Sequence, residues 1–185
     1  MLDIGGGASG FGVALAQAGL EVTVVDPDID GGRPAAYLQR WASSWKVDVS
    51  FHGGDLPSLR APPASYDHAF CLSVIEHIAD PSQRAALVAE AHRLLRPGGR
   101  LVVTLDLCIG IQPFADPPTW GDLRNVSVAE LLHAAPFELV EGVREELLGL
   151  PDFRPDLLAK GLREGRFLVS GGHILSQAFA LEKRT

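Results

Sequence analysis

The 185 residues predict an α/β fold, a mostly parallel sheet doubly wound by helices on both faces. Three observations carry that expectation. Short β-branched runs alternate with amphipathic stretches along most of the chain, which is the pattern of βαβ units. A glycine-rich turn, Gly5-Gly6-Gly7-Ala8-Ser9-Gly10, separates the first apolar run from the first helical one. Acidic residues stand where the first three strands end: Asp3, Asp26 and Asp55.

Taken in order, Met1 to Ile4 reads as the stub of a strand, and Phe11 to Ala18 as a helix stopped by Gly19. Glu21 to Val25 is a β-branched strand ending at Asp26-Pro27. In Ala35 to Lys46, apolar Tyr37, Leu38, Trp41 and Trp45 recur at helical spacing. Val47 to Phe51 and Tyr66 to Leu72 are strands, with the Pro62-Pro63 loop before the second. Ser82 to Leu95 is a helix capped by Asp80 or Ser82, with Pro81 near its first turn. Arg96-Pro97-Gly98-Gly99 stops it, and Arg100 to Leu107 is a strong strand. Ser127 to Ala134 reads as a helix, Ser127 and Glu130 having capping-box spacing. Phe137 to Val143 and Gly172 to Glu182 are two last strands. Residues 108–125 and 146–171 lack clear periodicity and read as substrate-facing insertions in a single domain spanning 1–185.

Right-handed crossovers place the loops that follow the parallel strands along one edge of the sheet. Ligands of such sheets bind there, where strand order reverses. Bare backbone in a glycine turn lets a ligand approach closely. The amides of the turn and the start of the following helix suit an anionic group. Asp26 lies 19 residues after Gly7, at a strand end, where a carboxylate can accept from both hydroxyls of a ribose. Asp55, in Gly53-Gly54-Asp55-Leu56, can take the exocyclic amine of adenine while Leu56 covers the ring. Singly these acids are ordinary solvated strand ends; together they point to a nucleoside-containing ligand.

Composition narrows the partners. With 46% hydrophobic and 21% charged residues the chain has the makeup of a globular domain. A net charge of −7 disfavours nucleic-acid and anionic-membrane binding, which need clustered Lys and Arg. Cys71 and Cys108 fit neither a disulfide framework nor a zinc site; they read as buried thiols of a cytoplasmic protein. No signal peptide and no apolar run of membrane-spanning length is present.

In the segments LDIGGGASG, VVDPD, GGDL, SYDHAFCLSVIEHIADP and LLRPGGRLVVTLDL, the chain resembles class I S-adenosylmethionine-dependent methyltransferases of the small-molecule type. Order and spacing match over roughly residues 1–107, and the last two segments are the more specific. The resemblance implies a Rossmann-like, mostly parallel seven-stranded sheet whose last strand is antiparallel, S-adenosylmethionine as cofactor and a small-molecule methyl acceptor. It implies that Asp3, Gly5, Gly6 and Gly7 face the methionine part, and that Asp26 with Pro27 holds the ribose. Gly54, Asp55 and Leu56 would frame the adenine, and Leu72 and Ser73 the sulfonium. His77 is the candidate general base. No metal is expected: relatives with a metal carry Glu-x-x-Glu-His, and here Ser73 takes the first place.

The family has a longer first strand with helices before it. Either this sequence is a piece of a longer chain, or an oligomer or partner covers the exposed edge that their absence implies. Two rival readings follow from other features. A noncatalytic binding module would explain the short first strand. A nicotinamide dehydrogenase shares the glycine turn but does not account for SVIEHI and RPGG.

Overall fold

The computed structural model describes residues 1–7, 9–29, 33–108, 124–167, 169–170 and 174–184. The elements run β1 (Leu2–Ile4), α1 (Phe11–Gln17), β2 (Thr23–Asp26), α2 (Arg33–Trp45), β3 (Ser50–Gly53), β4 (Tyr66–Leu72), α3 (Pro81–Leu94), β5 (Leu95–Cys108), α4 (Val128–Ala134), β6 (Phe137–Glu141), α5 (Pro155–Arg163), β7 (Val169–Ser170) and β8 (Ile174–Lys183). They form one sheet of order β3-β2-β1-β4-β5-β8-β6, with the two-residue β7 paired to β8. Parallel pairing runs from β3 to β5, and β8 is antiparallel to both β5 and β6. This is the expected Rossmann-like sheet, with β7 as an extra short piece.

Strand order reverses at β1, which lies between β2 and β4. The crevice that such a reversal opens lies outside the carboxyl ends of these strands. β1 is only three residues long, yet Leu2, Asp3 and Ile4 are all buried. The exposed first strand expected from the sequence is therefore not found: neighbours on both sides and α1 above enclose it.

The main core joins β1, β4, β5, α3 and α4 through residues such as Leu2, Cys71, Val88, Leu101, Val103 and Leu131. Each fully buried Leu or Val contributes about 1.5–3 kcal/mol. A second cluster of Leu107, Leu148, Leu158 and Leu175 seats α5 against the ends of β5 and β8.

Several elements depart from expectation for local physical reasons. Lys46 takes a left-handed conformation at the end of α2, and Val47 N–H bonds back to Ala42 O. Residues 47–49 are thereby spent on leaving the helix, so β3 pairs three residues later than the β-branched run suggests. Arg96 to Gly99 stop α3 as expected, but within β5: they bulge out between the Tyr66–Leu95 and His68–Arg100 pairs. The Ser127–Glu130 capping box does not form, since Ser127 makes no side-chain cap bond and Glu130 turns to Arg84 instead. Segment 146–171, expected to lack periodicity, instead holds α5, a short and strongly amphipathic helix that buries Leu158 and Gly161. Of segment 108–125, residues 109–123 lie outside the described residues, as does 172–173 at the expected start of the last strand. The two ends of that first segment are tied together. Buried Asn125 accepts from Cys108 N–H at 2.7 Å and donates to Cys108 O at 3.3 Å.

Candidate functional site

Asp3, at 3% exposure, is the middle residue of buried β1, just before the glycine turn. Its Oδ2 is buried and, among the described residues, has no hydrogen-bond partner. A Cβ placed on Gly6 would lie 2.6 Å from that oxygen, so only glycine leaves the carboxylate room. Burial pushes the Asp3 carboxyl up to about 6; a hydrogen bond from Gly12 N–H opposes the shift and the Asp26 charge adds to it. A buried, half-satisfied carboxylate at a bare-backbone turn has room to accept a further hydrogen bond or a cation.

Asp26 closes β2 beside it. Its Oδ1 accepts from Asp28 N–H at 2.8 Å, a bond that shapes the Pro27 turn, while Oδ2 lies toward Gly7. Gly54 N–H donates to Asp26 O at 3.2 Å, which brings the end of β3 alongside. Asp55 is exposed and caps the 3-10 turn Leu56–Leu59, its Oδ1 accepting from Ser58 N–H at 3.1 Å. Leu56 is committed to the main core. A cavity of about 170 Å³ opens beside this turn, between Asp55, Leu56, Pro57 and Gln83. Asp3, Gly5 to Gly7, Asp26, Pro27, Gly54 and Asp55 thus line one continuous edge, as the topology requires.

Leu72 ends β4 opposite Thr104 of β5. Ser73 follows in the left-handed region, φ 53°, an unfavourable conformation for a side-chain-bearing residue. Thr104 holds it there: Ser73 N–H donates to Thr104 Oγ1 at 2.9 Å and lies 3.1 Å from Thr104 O. His77 is exposed at the end of the 3-10 turn Ile75–His77.

Glu76, in that same turn, is the residue that sequence reasoning passed over in favour of His77. It is completely buried; Oε1 accepts from Asp106 N–H at 2.8 Å, and Oε2 has no hydrogen-bond partner among the described residues. Burial pushes its carboxyl up to about 7, with hydrogen bonds opposing and the Asp106 charge adding to the rise. Asp106 in turn accepts from Ser176 Oγ at 2.6 Å. The ends of β4, β5 and β8 therefore carry a second carboxylate cluster next to the first. The signals for it in the sequence are Glu76, four residues past the end of β4, and Asp106, near the end of β5. Among the described residues no group of three His, Cys, Asp or Glu could hold a metal ion. Among the described residues no helix is long and apolar enough to cross a membrane.

A larger cavity, about 550 Å³, sits at the opposite end of the strands between Thr23, Tyr66, Asp67 and Arg96. Neither the glycine turn nor an unpartnered carboxylate reaches it, so its size does not make it the site.

With this geometry in place, comparison with known proteins is decisive. A methyltransferase-domain family matches residues 1–99, more than half the chain. The chain belongs to that family. A ubiquinone biosynthesis O-methyltransferase of Xylella fastidiosa is 36% identical over 107 residues, covering 56% of this chain and 40% of that protein. A protein of Mycolicibacterium smegmatis named as a probable S-adenosylmethionine-dependent methyltransferase is 32% identical over 154 residues, covering 81% of this chain and 54% of that one. The chain thus spans about half the length of these relatives, or less. Solved structures share the fold. A Burkholderia thailandensis 1,6-didemethyltoxoflavin-N1-methyltransferase superposes with a TM-score of 0.67 at 22% identity, over 100% of this chain and 70% of that one. The cyclase SpnF gives 0.69 at 20% identity, over 100% and 74%. The same methyltransferase-domain fold therefore carries more than one chemistry, and activity must be argued from the site.

Proposed function

We propose that this methyltransferase domain binds S-adenosylmethionine along the carboxyl edge of β1, β2 and β3 and transfers methyl to O, N or C of a small-molecule acceptor. One observation carries the reading: the buried, unpartnered Asp3 Oδ2 under a glycine turn. A phosphate-bearing ligand would be repelled by Asp3, Asp26 and Asp55 together. A ligand with an ammonium, a carboxylate and a ribose meets each of the groups on this edge. Asp3 is assigned to the ammonium and the amides of Gly5, Gly6 and Gly7 to the carboxylate. Asp26, at the Pro27 turn, is assigned to the ribose hydroxyls, Asp55 beside Gly54 and Leu56 to the adenine amine, and Leu72 and Ser73 to the reacting end.

When bound, the cofactor supplies a methyl group already activated on a sulfonium. What remains for the protein is alignment, worth roughly 7–11 kcal/mol in the best cases. The braced Ser73 backbone and the edge between β4 and β5 provide it. His77, exposed at that edge, is assigned to accept the proton of an acidic acceptor. The net charge of −7 favours a small molecule over a nucleic acid as acceptor. The buried thiols of Cys71 and Cys108 fit the reducing cytoplasm, and burial pushes the Cys71 thiol up and away from reactivity.

Isothermal titration with S-adenosylmethionine and S-adenosylhomocysteine tests the binding half of the proposal, and saturable one-to-one binding is expected. Transfer of labelled methyl to a panel of phenols, amines and activated carbon acids tests the other half. No binding overturns the reading. Binding without transfer to any acceptor supports a binding module instead.

A further inference from the structure

Arg84 lies in the second turn of α3, and its side chain is 1% exposed. Burying a guanidinium is costly unless charge and hydrogen bonds compensate it. Among the described residues, compensation comes from α4 and from the loop before α3. Nε and Nη2 donate to Oε1 and Oε2 of Glu130 on α4, at 2.7 and 3.1 Å, a bidentate pair. Nη1 donates to Ile78 O at 2.8 Å and lies 3.4 Å from Ala79 O.

Those carbonyls belong to the loop that leaves β4 along the ligand edge. At the other end of this loop, Val74 packs so closely on the glycine turn that a Cβ on Gly5 would lie 2.4 Å from its Cγ2. Between the two ends, Glu76 is held by Asp106 N–H through Oε1, and its carbonyl accepts from Arg124 N–H at 3.1 Å. Besides its own turn bonds, His77 N–H to Val74 O and Ile78 N–H to Ile75 O, the loop is held among the described residues by other elements, and Arg84 supplies a hold at its far end.

We propose that Arg84 is a positioning residue for the cofactor edge: its guanidinium fixes the Ile78 and Ala79 carbonyls and so keeps the loop, with Val74 and His77, against the glycine turn. Glu130 offsets part of the cost of that burial, and the Ile78 and Ala79 carbonyls offset more of it. The inference rests on the reading of that edge as the S-adenosylmethionine site. A simple structural ion pair has a different signature. It lowers global stability when broken, and its replacement by apolar groups restores stability with nothing lost.

Three variants separate the two. R84M/E130L replaces the pair with apolar groups, E130Q weakens the pair but leaves the carbonyl bonds, and R84K keeps a charge but loses the fork. Backbone hydrogen exchange is measured on the chain without ligand, and S-adenosylhomocysteine affinity by titration. In R84M/E130L, exchange at residues 75–79 should accelerate about tenfold or more, the loss of a charge-assisted bond, while β5 keeps its protection. Its affinity for S-adenosylhomocysteine should fall about tenfold, whereas E130Q should change either quantity less than about threefold. Wild-type exchange at 75–79 in a folded R84M/E130L overturns the clamp. If that variant fails to fold, wild-type exchange at 75–79 in R84K overturns it equally. A wild-type chain that does not bind S-adenosylhomocysteine overturns the cofactor reading instead, a failure visible before any variant is made.

Discussion

At the residue scale, two carboxylates with unpartnered buried oxygens, Asp3 and Glu76, define what the edge can do. Asp3, raised to about 6 chiefly by burial, must be ionised to receive a cation. Cofactor affinity should therefore hold constant above pH 6 and fall about tenfold per unit below it. D3N should bind about tenfold or more weakly and lose that dependence, which titration calorimetry between pH 5 and 8 reads directly. Glu76 makes a stability prediction of definite sign. Its folded-state carboxyl is raised from 4.5 to about 7, so the folded chain holds the proton more tightly than the unfolded one. Stability from this group is fully present below about 4.5 and is lost as pH rises to about 7. E76Q does not ionise, so it should gain on wild type by about 3 kcal/mol between pH 4.5 and 7.5. Parallel urea-stability curves for the two proteins across that range would refute it. For His77, replacement by Gln should lower kcat about a hundredfold on a hydroxyl acceptor while cofactor affinity stays at the wild-type value.

At the scale of elements, the strand-turn-helix logic of the first half was legible because it is local. The expected strand Tyr66–Leu72 forms with those bounds, α3 follows its Asp80 cap, and the glycine turn joins β1 to α1. Legibility failed where a distant partner decides. Glu130 has the spacing of a capping box but lies within reach of a buried Arg84, and a charge-assisted bidentate pair outweighs a solvent-exposed cap. Asn125 has no motif at all, yet it closes the two ends of segment 109–123 by bonding both polar groups of Cys108. N125A removes both bonds that join Asn125 to Cys108 and should cost about 2 kcal/mol in urea unfolding, with the m-value unchanged.

At the scale of the whole molecule, the site is split across elements that only the sheet brings together: the glycine turn, the ends of β2 and β3, and the loop after β4 braced from β5, α3 and α4. A ligand bridging these pieces should stabilise the fold as a unit. At a hundredfold excess over Kd, S-adenosylhomocysteine should add about 2.7 kcal/mol and raise Tm by about 5–10 °C in a single transition. A split transition, or no shift at a concentration that saturates binding, would contradict a single cooperative domain built around the ligand edge. The chain itself determined the alternating α/β pattern, the glycine turn and the three acids at strand ends. These follow from periodicity and backbone freedom, which are properties of neighbouring residues. Tertiary structure alone decided that three-residue β1 is buried, that Glu76 is buried beside Asp106 while His77 is exposed, and that Arg84 bonds the Ile78 carbonyl. Each depends on which groups are removed from water together, and desolvation is set by residues far apart in sequence.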